Sequence, residues 1–222
     1  TTTLASIIEF GTHVANGGPD EAERVRGLIL AAEDHGLAIR MRGSHDSDPR
    51  VYTLARQAGI VAWVGVPPSA DIPAPRDFGG VYVLPASESL QFGCGQAPNV
   101  RSAINDGIPI AIGSSCPAEG PRSSNPQFLL YLGIARFGLS HEEAIMACTY
   151  NAACSLKLSH VTGSLEPGKS ADLIVMDVHD YHELAHHVGH NDVLLAMRAG
   201  RTVYRRTPIN GVEQGTPPPR LS

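Results

Sequence analysis

From residue 19 onward the chain alternates between two hydrophobic periods, and this alternation restricts its fold more than any other feature. Pro19-Asp20-Glu21 opens an acid-rich helix start, Val25, Leu28, Ile29 and Ala32 follow at helical spacing, and Gly36 closes it. Leu37–Met41 then reads as a short strand. A second helix runs from Pro49 through Val51, Leu54 and Ala55 to Gly59, and Ile60–Val66 is a continuous apolar run of strand length. After a Pro-rich loop over 67–80 come a strand at Val81–Leu84, a short helix over Asn99–Asp106 and a strand at Ile108–Ile112. A helix over Pro126–Phe137 follows, then another with Ser140 and Glu143 three residues apart, the spacing of a capping box. Strands that are apolar throughout, joined by helices over connections of this length, indicate parallel βαβ units with a covered sheet. With Leu4–Phe10 as a first strand, the pattern predicts an α/β architecture to about residue 157.

Past Gly163 the texture changes. Gly163-Ser164-Leu165-Glu166-Pro167-Gly168-Lys169 is turn chemistry, Ala171–Val178 reads as a strand, and Val193–Met197 with Thr202–Arg205 flank Ala199-Gly200 as a hairpin. The expected organisation is therefore βα units over 1–157, a small β segment over 158–206 and a flexible, Pro-rich tail over 207–222.

Composition narrows the function. In 222 residues, 42% hydrophobic, the 17 Lys and Arg face 22 Asp and Glu, for a net charge of −5, and no basic run exceeds Arg205-Arg206. A nucleic-acid or anionic-membrane surface would need a concentrated basic patch. No stretch approaches the roughly 18 apolar residues of a membrane span, so a cytoplasmic protein is expected. Cys94, Cys116, Cys148 and Cys154 make no CxxC pair and read as free thiols, with Cys148 and Cys154 on one helix pointing apart. The first residue is Thr, which fits a processed chain or one piece of something longer.

Three ordered runs carry a family resemblance: Gly138-Leu139-Ser140-His141-Glu142-Glu143-Ala144, Thr149-Tyr150-Asn151-Ala152-Ala153, and Gly163 through Val175. Together they resemble the C-terminal part of the amidohydrolase superfamily, and Asp180–Gly189 leading into Val193–Tyr204 is most similar to its imidazolonepropionase branch. The resemblance implies a partial (β/α)8 TIM-type barrel, made of the later strands, plus a segment of small β-sandwich. It implies hydrolysis of a C–N bond in a small cyclic amide or imidazolone-like substrate. The HxH pair of the family's first barrel strand has no counterpart in the resemblance. Its other metal positions are occupied by Arg42 before Gly43, by Val64-Gly65 and by Gly113-Ser114-Ser115. Metal hydrolysis needs imidazole and carboxylate ligands. The expectation is therefore no cofactor, or a divalent metal such as zinc held mainly by a partner chain.

Candidate site residues lie where strands end. Ser44-His45-Asp46-Ser47-Asp48 offers His45 with Asp46 as a general base or a new ligand pair, or is a polar loop whose Asp48-Pro49 caps the next helix. Arg42 and Arg40 share a strand face and can supply fixed positive charge, or pair with a structural carboxylate. Ser114, Ser115 and Cys116 offer hydroxyls and a thiol for substrate binding. The histidines at 179, 182, 186, 187 and 190 invite a metal reading, but surface or packing roles are preferred. A half-barrel is expected to leave an open strand edge and an uncovered apolar inner face, and half a sandwich to expose its strands. A second polypeptide supplying the missing half, or a second copy of the chain, is the expected partner, besides a small-molecule substrate. A non-catalytic binding or scaffold role on a decayed enzyme fold is the alternative.

Overall fold

The computed structural model describes residues 7–11, 20–43, 49–65, 79–87, 90, 100–114, 123 and 125–206. Five strands, β1 (Ile7–Gly11), β2 (Ala38–Arg42), β3 (Ala62–Val64), β4 (Val81–Pro85) and β5 (Ile110–Gly113), form one parallel sheet in the order β1-β2-β3-β4-β5. A doubly wound sheet reverses its strand order and covers both faces with helices. Here every step moves to the next neighbour in the same direction, as in the wall of a (β/α)8 barrel. The sheet is an α/β sector of such a barrel.

Helices α1 (Glu21–Asp34), α2 (Pro49–Gln57), α3 (Val100–Asn105) and α4 (Pro126–Phe137) flank these strands. Strand alternation divides the side chains into two sets. Met41, Trp63, Tyr82, Leu84, Ile110 and Ile112 join the helix-side core with Val25, Ile29, Val51 and Leu132. Ala62, Val64, Val81, Val83 and Ala111 form a second, inner cluster. The expectation of an uncovered inner face fails at these five residues, which are only 0–5% exposed. Part of the cover is α6 (Tyr150–Cys154), whose Ala152 and Cys154 pack against the inner cluster. Asn151 Nδ2 donates to the carbonyl of Ile110, the first residue of β5, at 2.8 Å. That bond fixes α6 beneath the N-terminal ends of the strands.

The helix expected to carry both cysteines is two helices. α5 (His141–Cys148) has the predicted capping box, with Ser140 Oγ accepting from the Glu143 N–H and Glu143 reaching back to the Ser140 N–H. It stops at Thr149, whose φ of −121° and ψ of −91° are not helical, and α6 begins there. Cys148 remains an inert thiol, pushed up to about 12 by burial. The expected strands over 60–66 and 171–178 are shorter in the structure, at Ala62–Val64 and Leu173–Met176, and Tyr181–Ala185 forms a 3-10 helix within what reads as a linker.

Strands β6 (Leu173–Met176), β7 (Val193–Arg198) and β8 (Arg201–Arg205) make a separate antiparallel sheet, with β7 and β8 joined as the expected hairpin. The Gly163–Lys169 turn connects the two regions. Gly163 has φ +96°, and a Cβ there would lie 2.7 Å from the Ala153 methyl of α6, so this position needs glycine. Lys169 Nζ reaches Ser164 Oγ at 2.5 Å and Glu166 Oε1 at 3.0 Å, so the charges of this turn hold its own shape. No helix among the described residues is long and apolar enough to cross a membrane. The stretch 207–222 lies outside the described residues.

Candidate active site at the C-terminal ends of the parallel strands

Register brings the two arginines of β2 beside a carboxylate of β1. Glu9 pairs with Arg40 and Gly11 with Arg42, while Arg40 aligns with Ala62 and Arg42 with Val64 of the inner cluster. Glu9, Arg40 and Arg42 therefore continue the inner face. Arg42 Nε donates to Glu9 Oε1 at 3.2 Å. Arg40 Nε lies 3.5 Å from Glu9 Oε2 but is not aligned for a hydrogen bond. That buried N–H has no acceptor among the described residues. The Arg40 side chain is 15% exposed, against 32% for Arg42 and 38% for Glu9, so the charges sit in a partly dehydrated setting. Its unpartnered N–H leaves the Arg40 guanidinium with capacity for an anion.

Arg42 is the last residue of β2, and Ser114 immediately follows β5. Because the strands are parallel, both lie at the same end of the sheet, the end where barrel enzymes place their chemistry. Near this mouth the backbones of β2 and β3 meet closely. Gly43 N donates to Val64 O at 3.0 Å and Gly65 N to Val83 O at 3.1 Å. A Cβ at Gly65, where φ is +141°, would overlap the Gly43 carbonyl, and one at Gly43 would overlap the Trp63 indole. Any side chain at residue 65 is thus excluded sterically, including the imidazole that the family resemblance implies around Val64-Gly65.

His45, Asp46, Ser115 and Cys116 lie outside the described residues. Sequence reasoning anticipated an acid partner for Arg42 without naming Glu9. The available signal was a lone carboxylate inside the apolar run of the first strand. It also missed Ser87, just past the end of β4.

The divalent metal implied by the resemblance does not fit the described donors at the strand ends. Glu9 is engaged by two guanidiniums, and Val64, Gly65 and Ser114 add no imidazole or carboxylate. No group of three or more His, Cys, Asp or Glu among the described residues could hold a metal ion.

The histidines after residue 178 divide between two packing tasks. His187 Nδ1 and His190 Nδ1 lie 3.1 and 2.7 Å from the carboxylate of buried Asp192, which also accepts from Gln127 Nε2 at 3.0 Å. Burial pushes the Asp192 carboxyl up, but the bonds from His190, His187 and Gln127 outweigh it and leave it below the usual aspartate range. This cluster ties the start of α4 to β7. His182 bonds Asp180, and its ring stands 4.7 Å from that of His141 on α5. Glu142 accepts from Tyr181 and from Ser140, which together hold its carboxyl down at about 2. Both groups lie on the helix side, away from the inner face.

The sequence pattern of the Amidohydrolase family matches residues 9–203. The chain belongs to the amidohydrolase family. Among relatives of this amidohydrolase is the imidazolonepropionase of Geobacillus thermodenitrificans (strain NG80-2), 30% identical over 188 residues, which are 83% of this chain and 43% of the relative. That of Picrophilus torridus is 44% identical over 86 residues, or 39% of this chain and 22% of the relative. Among solved structures, the 5-methylcytosine deaminase of Klebsiella pneumoniae superposes with a TM-score of 0.73 at 18% identity, covering 91% of this chain and 56% of that one. The ochratoxinase of A. niger gives 0.68 at 18% identity, covering 90% and 51%. These structures share the fold of this amidohydrolase. The chain spans less than half the length of the first relative and about half of each solved structure.

Proposed function

We propose that the chain hydrolyses a C–N bond in a small cyclic amide or imidazolone-like acid, using fixed cationic side chains where its relatives would use a metal. The observation that carries this reading is the Glu9–Arg40–Arg42 cluster on the inner face, with the buried Arg40 N–H lacking an acceptor. Arg40 binds the substrate carboxylate. Arg42, at the strand end, faces the amide carbonyl, and Ser114, Ser115 and Cys116 serve in substrate binding. His45, oriented by Asp46, takes a proton from water as the oxygen attacks the carbonyl carbon. The resulting oxyanion is stabilised by Arg42. On collapse the C–N bond breaks, and the ring nitrogen leaves with the proton from His45. The product is a single ring-opened molecule that carries the new carboxylic acid and the freed nitrogen.

In this reading the chain works as one part of a split enzyme. A second polypeptide, or a second copy, covers the exposed residues of the small sheet, and a metal such as zinc enters only if that partner contributes most of its ligands. A non-catalytic role in binding the same small acids is the second reading, favoured by the poor fit of the described donors to a metal. The test is incubation of the purified chain with 5-oxoproline and with imidazolone acids, read by proton NMR. Ring opening that disappears in Arg42→Ala supports hydrolysis. Tight binding with no ring opening, alone or with a co-purifying chain, would leave the binding role.

A further inference from the structure

Helix α1 is buried on one side and open on the other. Val25, Ile29 and Ala32 join the helix-side core, and the helix packs on α2 and β2. At about 100° per residue the opposite side presents Arg24, Gly27, Ala31 and Asp34 in a row, flanked by Leu28 and Leu30, and all of them are exposed. Leu28 is 45% and Leu30 55% exposed, on a side that a water-facing helix ordinarily gives to polar residues. Asp34 is also poorly placed for an isolated helix. It ends α1, where the macrodipole disfavours an anion, and no basic residue stands in the last turn to offset it. Neither Asp34 nor Arg24 has a side-chain partner among the described residues.

The row is symmetric about Ile29. Arg24 and Asp34 stand at equal distances on either side of it along the helix, as do Gly27 and Ala31, and Leu28 and Leu30. We infer that this face of α1 is an interface between two copies of the chain, packed antiparallel about a two-fold axis level with Ile29. Arg24 of each copy then meets Asp34 of the other, and the leucines of the two copies cover one another. A parallel arrangement would set like charges opposite. At the centre a Cβ on Gly27 would touch nothing within its own chain, so the backbones have room to approach. With one charge of each sign, the face matches itself better than it matches a strongly acidic or basic partner. One helix pair buries less than the roughly 1,200 Å² of a standard interface, so the dimer should be weak, with a Kd of about 10 μM or above. The contact lies on the helix side and is independent of the reaction proposed for the inner face.

The test is sedimentation of the full 222-residue chain over a concentration series spanning that range, for wild type, Arg24→Asp, Asp34→Arg, the double variant and Leu30→Glu. Wild type should pass from monomer to dimer. Each single charge reversal places two like charges together twice in the symmetric pair and should weaken the dimer about tenfold or more. The double variant restores opposite charges and should recover the wild-type Kd to within about threefold. Leu30→Glu should leave only monomer. Thermal melting separates lost association from lost folding: Arg24→Asp and Asp34→Arg both move charge in the direction the macrodipole favours, so the monomer should melt at an unchanged or higher temperature. A wild-type chain that stays monomeric throughout would overturn the inference. So would a dimer that ignores both charge reversals and Leu30→Glu, which would place the contact elsewhere, such as on the small sheet. Single variants that weaken the dimer without recovery in the double variant would overturn the antiparallel pairing.

Discussion

The parallel sheet and the antiparallel sheet of this chain are made of similar residues in opposite surroundings. In β3 and β4 every residue is buried, with Trp63 at 2% and Leu84 at 0% exposure. In the small sheet Ile174 is 55% exposed, Val175 45% and Val203 63%, and all of β8 is exposed. β-Branched and apolar residues suit a pleated surface that is at least half covered. A three-stranded sheet bearing them openly on both faces has the composition of a packed element without the packing. The barrel sector acquires its own cover, partly from α6 and the outer helices, whereas the small sheet leaves these residues open and is tied to the helices through Asp192 and Tyr181–Ala185. The first can hold chemistry in a fixed geometry, and the second offers the surface on which the proposed partner would dock.

The contrast can be broken most severely at the point where β2 and β3 touch. Gly65→Ala introduces both an unfavourable φ and an overlap with the Gly43 carbonyl, and should cost about 3–5 kcal/mol in urea unfolding. Leu84→Ala, in the fully buried helix-side core, should cost about 2–4 kcal/mol by the same measurement. An effect below about 1 kcal/mol for either would mean the parallel sheet is as loosely held as the small one.

Acid should act first on the contact that joins the two regions. The folded-state pKa of Asp192 is depressed, so its contribution to stability is present above the ordinary aspartate pKa and disappears as pH falls through the lower folded value. Below about pH 4, amide exchange at Asp192 and along β7 should therefore accelerate before exchange in β3 and β4. Asp192→Asn should remove that pH dependence. Simultaneous acceleration in both sheets would contradict a separate junction. The smallest effect is expected for Val203→Thr, which should change the stability of the isolated chain by no more than about 0.5 kcal/mol, since its site is open to water. With a covering partner bound, the same substitution should weaken the association measurably.

The alternation of apolar strands with helical periods was sufficient to read the strands as parallel, because burial on both faces leaves a continuous hydrophobic run, whereas their spatial order came from the family resemblance and the structure. The break at Thr149 was not legible, since His141–Cys154 keeps helical composition throughout and only backbone angles reveal the interruption. Arg40 and Arg42 stood out as charges at alternate positions of an apolar strand. Glu9 did not, because its role depends on the register of β1 against β2, which periodicity leaves open. Ser87 carries no sequence signal: its burial and its lack of a hydrogen-bond partner show only in the structure.

Anion binding by the inner face at the strand ends should run through β2. Isothermal titration of 5-oxoproline, and of 2-pyrrolidinone, which has the ring amide but no carboxylate, into wild type and Arg40→Ala measures this directly. Removing one side of a buried charge pairing should weaken binding by about 2–5 kcal/mol, or roughly 30-fold or more. The affinity for 2-pyrrolidinone should stay the same. Unchanged 5-oxoproline affinity in Arg40→Ala, or an equal loss for both compounds, would contradict the assignment of this face as the site of a small cyclic acid.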